Sequence, residues 1–370
     1  IDARGDRYEQ TYDAGTVGLT ASHRHRFRAL GRVQAWEVGL SARHDITTQA
    51  MRRQRFNDGV TYATPVDADV NATDIGVFLD AELRLIPRVT LRGGVRADAL
   101  AYLIDDRVPR SATLGAMEPR GRRDAQGFQV GPRATLDVYL GRGFSVLGSY
   151  GKGFRSPQAL SLGEGENAPF ATVHAGELGA RFRAPWLTAS VVTFVTHVDR
   201  DLVFEPTLGQ NLVVEGSAAT TRLGASALFQ IKPLRGLEID LSGTWARATF
   251  DATGLLVPYV PPLVGRADVA FNRPVATVRG HPLSVSAGLG ASWIGARPLP
   301  FSETTPARFV LDAGASVRWR AFELGVSARN LTDARWRDGV FNYPSNFAQG
   351  TSGSRVPTEH FTAGRPFTLL

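Results

Sequence analysis

The sequence predicts an all-β protein, an antiparallel β-barrel that crosses a membrane on its strands. Three observations predict it. Apolar and polar residues alternate with period two along most of the chain. The alternating segments are long, about fifteen of them and most of 10 to 16 residues. The connections between them are short and long by turns.

The alternation is plainest in five segments. In 74–85, Ile75, Val77, Leu79, Ala81, Leu83 and Leu85 share one face, and Asp74, Asp80, Glu82 and Arg84 the other. Segment 90–101 sets Leu91, Val95, Ala97, Ala99 and Ala101 against Arg92, Arg96 and Asp98. Segment 133–140 sets Ala134, Leu136, Val138 and Leu140 against Arg133, Thr135 and Asp137. Near the end, Phe309, Leu311, Ala313, Ala315, Val317 and Trp319 alternate with Arg308, Asp312, Ser316, Arg318 and Arg320. Phe322, Leu324, Val326 and Ala328 then alternate with Glu323, Ser327 and Arg329. Globular strands usually stop at about five or six residues, whereas a tilted strand needs about 9–11 to cross a bilayer.

Short connections are predicted at 86–89, 140–143, 184–187, 233–236 and 319–322. Between them fall longer ones near 52–72, 106–126, 156–174, 206–211, 252–261, 297–306 and 331–360, with less regular turns near 23–32 and 273–281. Tight turns at one end and long loops at the other are the asymmetry of outer-membrane barrels. In such a barrel the apolar face meets lipid and the charged face lines the lumen. Asp80, Glu82, Arg84, Arg92, Arg96, Asp98, Arg133 and Asp137 are then expected as neighbours on consecutive strands, where opposite charges pair. Tyr139, Phe144, Trp186, Trp319 and Phe322 stand beside the short turns, which suits either an interfacial aromatic girdle or ordinary strand-end packing.

Composition narrows the function classes. No run approaches 18 apolar residues, so a membrane-spanning helix is excluded; alternating strands leave hydropathy near neutral, as here. The absence of cysteine excludes disulfides and thiolate metal sites. All but Lys152 and Lys232 of the 42 basic residues are arginine. That fits either a GC-rich genome or a need for rigid guanidinium forks. The net charge of +7 is not gathered on one segment, so nucleic acid is not expected as a partner. The opening IDARGDRYEQ carries no legible leader, which is expected either if one was removed or if the chain begins mid-protein.

The stretch YGKGFRSPQALSL has the composition of a phosphate-binding loop but not its spacing, because Gly151 stands one residue from Lys152 and Pro157 blocks a following helix. In its wider setting, GPRATLDVYLGRGFSVLGSYGKGFRSPQALSL resembles the middle of a TonB-dependent outer-membrane receptor barrel, with Gly153-Phe154-Arg155-Ser156-Pro157 at the top of a strand. HAGELGARF (174–182), VPYVPPLVGRADVAF (257–271), LGVSARNLTDARW (324–336) and AGRPFTLL (363–370) resemble further pieces of that family in family order. The matching motif residues are Gly153, Phe154, Arg155, Pro157, Asn330, Leu331, Asp333, Gly364 and Arg365.

The resemblance implies one transmembrane barrel domain over 1–370, incomplete at about fifteen of roughly 22 strands, without the N-terminal plug. A fragment of a longer gene product is therefore expected, with a smaller complete barrel as the alternative. The resemblance further implies residence in the bacterial outer membrane and contact with its lipid and lipopolysaccharide. A plug domain and the TonB complex are the implied partners, and uptake of a scarce bulky ligand the implied work. That ligand is an iron–siderophore complex by family frequency, or cobalamin or a glycan.

Two loops are the candidate ligand contacts. The first, 105–126, carries Arg107, Arg110, Arg120, Arg122 and Arg123; the last, 334–361, carries Arg335, Trp336, Arg337, Phe341, Tyr343 and Phe347. Arg155 joins them from the strand-top motif. Guanidinium groups give bidentate contacts to carboxylate, phosphate or catecholate, and aromatics give stacking area; lipopolysaccharide phosphates or plain solvation satisfy the same arginines. No catalytic set assembles, so no enzyme and no cofactor is expected. His23 and His25 have strand spacing for two ligands on one face but fall in an expected turn without a third ligand, so no metal site is assigned. A passive porin-like channel and a soluble all-β binding protein are the other readings; the first needs a complete even-numbered barrel, the second a covering sheet.

Overall fold

The computed structural model describes residues 6–55, 58–108, 121–155, 171–204, 213–215, 219–345 and 356–370. The strands are β1 Asp6–Ala29, β2 Arg32–Arg55, β3 Thr61–Ile86, β4 Val89–Asp106, β5 Gly121–Gly141, β6 Phe144–Arg155, β7 Ala171–Ala184, β8 Leu187–Val198, β9 Leu202–Phe204 and β10 Val213–Glu215. They continue as β11 Thr220–Leu234, β12 Leu237–Phe250, β13 Leu263–Val278, β14 His281–Ile294, β15 Arg308–Trp319, β16 Phe322–Arg329, β17 Arg337–Ser345, β18 Val356–Ala363 and β19 Thr368–Leu369. The one helical element among the described residues is a 3-10 turn, Pro300–Ser302. Fifteen strands form one sheet in chain order, β1 to β8, β11 to β16 and β19; β9 with β10 and β17 with β18 are separate hairpins.

The expectation of long alternating strands holds, and the early ones are longer still: β1, β2 and β3 run 24, 24 and 26 residues. Three expected loops shrink accordingly. Most of 52–72 belongs to β2 and β3, 121–126 to β5 and 171–174 to β7. The extension of β2 carries polar residues on both faces, as in RRQR at 52–55, while in β3 the apolar row passes to Val66, Ala68 and Val70; in both the hydrogen-bond ladder continues. Pro65 falls in the register shift between the Met51–Val66 and Arg53–Ala63 pairs, the kind of irregularity in which proline is found within sheets. The last expected loop, 331–360, contains β17 and most of β18. His23 and His25 lie on β1, not in a turn, because that strand continues to Ala29.

Every second connection is a two-residue turn, at 30–31, 87–88, 142–143, 185–186, 235–236, 279–280 and 320–321. Such hairpins favour positive φ at the turn residues, and Arg142 (52°) and Gly143 (88°) adopt it. At Gly143 a Cβ would also stand 2.2 Å from the Arg183 carbonyl oxygen. Gly143→Ala is therefore expected to cost about 1–3 kcal/mol, read as a lower urea midpoint of the refolded protein in lipid vesicles. An unchanged midpoint refutes the strained turn.

The described chain falls into two compact units. The first holds β1 to β4, residues 121–135 of β5 and 151–155 of β6. On one face of its sheet Val17, Leu19, Val38, Leu40, Ile75, Val77, Leu79 and Val95 are exposed. On the other, Arg133 pairs with Asp80 (Nε to Oδ1, 3.0 Å), and Glu82 draws Arg84, Arg92 and Arg24 to 3.3–3.7 Å. Arg96 grips Asp98 two residues along its own strand (Nε at 2.8 and 2.9 Å) and reaches Ser41 at 2.7 Å. The same Arg-x-Asp pairing recurs at Arg43–Asp45. Beyond Asp98 the polar face of β4 turns apolar. Leu100, Tyr102 and Ile104 are buried with Val70 and Ala125, and Phe154 packs on them. Each large side chain so buried contributes about 1.5–3 kcal/mol.

The second unit holds residues 136–150, 175–345 and 355–370. Val269, Leu289, Val317 and Leu324 are exposed on its apolar face. Arg266–Asp268 and Arg318–Glu323 occupy the opposite one, and Asp137 meets Arg181 at 3.2 Å. The charges expected to be neighbours are thus paired within each unit.

Candidate functional site

In the second unit, β16 ends at a clip made by the Asn-Leu-x-Asp motif. Asn330 and Asp333 have φ of 51° and 47°, the left-handed region that Asn and Asp tolerate better than most residues. Asn330 is 1% exposed. Its Nδ2 donates to the carbonyls of Ala334 and Arg365, both at 3.0 Å, and its Oδ1 accepts from Ala334 N–H at 3.0 Å. Its own N–H donates to Asp312 on β15, and Asp333 Oδ1 accepts from Phe367 N–H at 3.1 Å. The clip therefore binds the end of β16 to the segment leading into β19. Gly364 completes it: its N–H donates to the Trp336 carbonyl at 2.8 Å, and a Cβ there would lie 2.2 Å from the indole ring. The two late motifs, 30 residues apart in sequence, meet here as scaffold. Leu331 and Arg365 are exposed at its margin, and of Arg365 the clip uses the carbonyl.

The clip holds Arg335, Trp336 and Arg337 against the 295–307 connection. That connection is closed on itself by Leu299 N–H to Glu303 O (2.8 Å) and by Thr305 N–H to Arg297 O (3.0 Å). Tyr259 ties in a further connection: its hydroxyl accepts from Asn342 N–H at 3.1 Å, and Asn342 Nδ2 reaches the Pro300 carbonyl at 3.3 Å. Among these elements lies a cavity of about 490 Å³ whose lining includes Arg297, Arg308, Arg335, Trp336, Arg337 and Glu359.

Its electrostatics are cationic. Arg308 pairs with Asp338 at 2.8 Å and lies over the Trp336 ring at 4.5 Å. Arg337 pairs with Glu359 and lies over Phe361 at 4.3 Å. Arg297 donates to the Asp338 carbonyl at 3.3 Å, and burial together with the neighbouring Arg308 pushes its pKa down. Arg335 is exposed and has no acidic partner among the described residues. Four guanidinium groups thus face two carboxylates. Among the described residues the buried Trp336 indole N–H has no acceptor.

The sequence reading anticipated Arg335, Trp336 and Arg337, and the structure brings them to one cavity. Tyr343 lies on β17 and stacks on His360 at 3.9 Å, outside that lining. Arg297, Arg308 and Glu359 were missed, since only folding brings them near 335–337. The first arginine group behaves differently. Arg107 is held by Asp67 (2.9 Å) and Asp69. Arg122 and Arg123 sit on β5, and Arg123 is buried against Asp106 at 3.3 Å. They are strand residues because the 106–126 segment re-enters the sheet at Gly121. Arg110, Arg120, Pro157 and Phe347 lie outside the described residues. Gly153, Phe154 and Arg155 end β6, with Phe154 in the apolar cluster and Arg155 engaged in a contact of its own. No three His, Asp or Glu side chains converge as metal ligands among the described residues.

Comparison with known families and folds gives a consistent result. The family model described as "TonB dependent receptor-like, beta-barrel" matches residues 2–331. A comparison with curated protein sequences gives no match. Among solved structures, the fold is similar to the ferric citrate transporter FecA in its unliganded form, with a TM-score of 0.75 at 14% identity, covering 98% of this chain and 55% of that one. It is also similar to the ferric yersiniabactin uptake receptor FyuA from Yersinia pestis (TM-score 0.71, 17% identity, 96% and 53% covered). The copper transporter OprC gives 0.75 at 14% identity, with 98% and 57% covered. The chain spans about half the length of these structures.

Proposed function

The chain belongs to the TonB-dependent receptor family as a β-barrel of the outer-membrane type, and from that premise we propose that it forms the barrel wall and outer loops of an outer-membrane receptor that takes up a scarce, bulky ligand with energy delivered through TonB. In this reading the two-residue turns face the periplasm and the long connections face outward. The apolar face is solvated by lipid tails, and the paired charges line the lumen, where a plug domain packs in the full gene product. An iron–siderophore complex is the ligand class we favour, because FecA, FyuA and the catecholate receptor Fiu are named as iron-chelate importers. The observation that carries the reading is the strict alternation of two-residue turns with longer connections on strands whose apolar faces are exposed. The chain is one barrel domain in this account, and Arg335, Trp336 and Arg337 are its best-placed ligand contacts.

Cells expressing the full-length gene product are expected to accumulate ferric chelate, and to lose that accumulation when TonB is deleted. Accumulation that survives without TonB overturns the receptor reading and favours a passive channel. Orientation has its own check, helped by the absence of native cysteine. Ala252→Cys, in the 251–262 connection, is expected to react with an impermeant maleimide on intact cells, and Ala321→Cys, in a two-residue turn, to stay unlabelled. The reverse pattern inverts the assignment.

A further inference from the structure

We propose that the cavity bounded by the 295–307 connection and residues 335–337 binds an oxyanion, a carboxylate or phosphate group of a small polyanion, between Arg335, Arg308 and the Trp336 indole N–H. The inference rests on the uptake reading for what the anion is for, but not for the binding itself.

Three independent features point to an anion. The first is charge: Arg297, Arg308, Arg335 and Arg337 line the cavity, and their paired carboxylates are only Asp338 and Glu359. The second is hydrogen-bonding capacity. A buried polar group without a partner costs free energy, and the Trp336 N–H is such a donor. An indole N–H cannot accept, so its missing partner must be an acceptor. The third is preorganisation. Gly364 and the Asn330 clip fix the backbone of Trp336, and Arg308 lies over its ring at 4.5 Å. A charge-assisted contact to a fork already held in place loses little side-chain freedom on binding.

Size and geometry favour a compact group over a broad aromatic one. About 490 Å³ admits a tricarboxylate or a diphosphate. The polar part of the lining is the four guanidinium groups, Trp336, Thr304, Thr305 and the Glu359 carboxylate; Ile294, Pro306, Ala307 and Val340 supply the apolar part. The guanidinium groups of Arg308 and Arg337 are each already engaged on one side, by Asp338 and Glu359. Arg335 is the group free to close on a ligand. The same chemistry is presented by a soluble polycarboxylate chelate and by the phosphates of lipopolysaccharide, so the experiment separates the two sources.

The full-length gene product, purified free of lipopolysaccharide in detergent, is titrated with tricarballylate and with inorganic pyrophosphate while tryptophan fluorescence is followed. A saturable change is expected with at least one of them, absent in Trp336→Phe, with the midpoint raised tenfold or more by Arg335→Gln. Arg335 touches no described partner, so its variant folds; heat-modifiable migration verifies this. Arg308→Gln is expected to weaken binding as well. Purified lipopolysaccharide, intact and dephosphorylated, is the second arm. A Trp336 signal with soluble anions assigns the site to a soluble ligand, and a signal with phosphorylated lipopolysaccharide alone assigns it to the lipid. No saturable signal in either arm, or one unchanged in both Trp336→Phe and Arg335→Gln, overturns the site. Loss of TonB-dependent uptake with anion binding intact counts against the receptor reading and leaves the site standing.

Discussion

Asn330→Ala is expected to destabilise the full-length protein by about 3–4 kcal/mol and to loosen the last strand. Two costs add. Alanine removes both partners of Ala334 and the acceptor's partner at Arg365, three hydrogen bonds around a side chain that is 1% exposed. It also places a residue with a Cβ but no compensating polar group at φ 51°. Asn330→Gly separates the terms, since glycine adopts that φ freely and loses only the hydrogen bonds; it is expected to recover about 1–2 kcal/mol. The measurement is urea unfolding after refolding into lipid vesicles, with protease cleavage near Arg365 as a local readout. If Asn330→Gly matches the wild type in both, the clip carries no stability.

Leu79→Arg is the second large effect. Leu79 sits on β3 with half its surface exposed, opposite Val38 and Val95 on the neighbouring strands. That face is apolar from Ile75 to Leu85, and an arginine near the midplane of a barrel wall costs about 2–4 kcal/mol. Glu82→Gln, three residues on and on the other face, is expected to cost under about 1 kcal/mol, because Glu82 trades charge with Arg24, Arg84 and Arg92, all well exposed. Vesicle refolding yields and urea midpoints of the two variants decide between the faces. A harmless Leu79→Arg beside a non-folding Glu82→Gln means that the face assigned to lipid is the lumen.

The sheet was legible wherever one face met an apolar medium. Ile75, Val77 and Leu79 announce β3 because lipid demands an apolar side chain at every second position. The same strand begins at Thr61, where TYATPVDADV puts Asp67 and Asp69 on that face and Val66, Ala68 and Val70 on the other, and a loop is expected there from the pattern. There the packing moves to the other face, where Val70 is buried with Leu100, Tyr102, Ile104 and Ala125, and the backbone ladder leaves no mark of its own on the side-chain pattern. The β17–β18 hairpin escaped for the same reason. The polar face hid a second feature: Leu100, Tyr102 and Ile104 continue the row of Arg96 and Asp98, and only the structure shows that row becoming a buried cluster.

The cavity was half legible. Arg335, Trp336 and Arg337 are consecutive, and their place after a recognisable motif drew attention to them. Arg297 and Arg308 stand among forty arginines with nothing local to distinguish them. Their selection comes from the hairpin register that returns β15 to the foot of the 295–307 connection. The Asn330 motif was noticed as a family mark; its work, bonding to the Arg365 carbonyl, needs coordinates.

The two-residue turns have a consequence for how the gene can change length. Antiparallel strands joined by a turn of fixed size share one odd–even count, so side chains at alternate positions keep their face from one strand to the next. A single codon gained or lost in such a turn shifts the register of that hairpin by one and reverses inside and outside for one of its strands. The same indel in the 251–262 connection is absorbed before the next strand begins. Insertions, deletions and epitope tags are therefore absorbed by the longer connections, while the two-residue turns are held to a constant codon count.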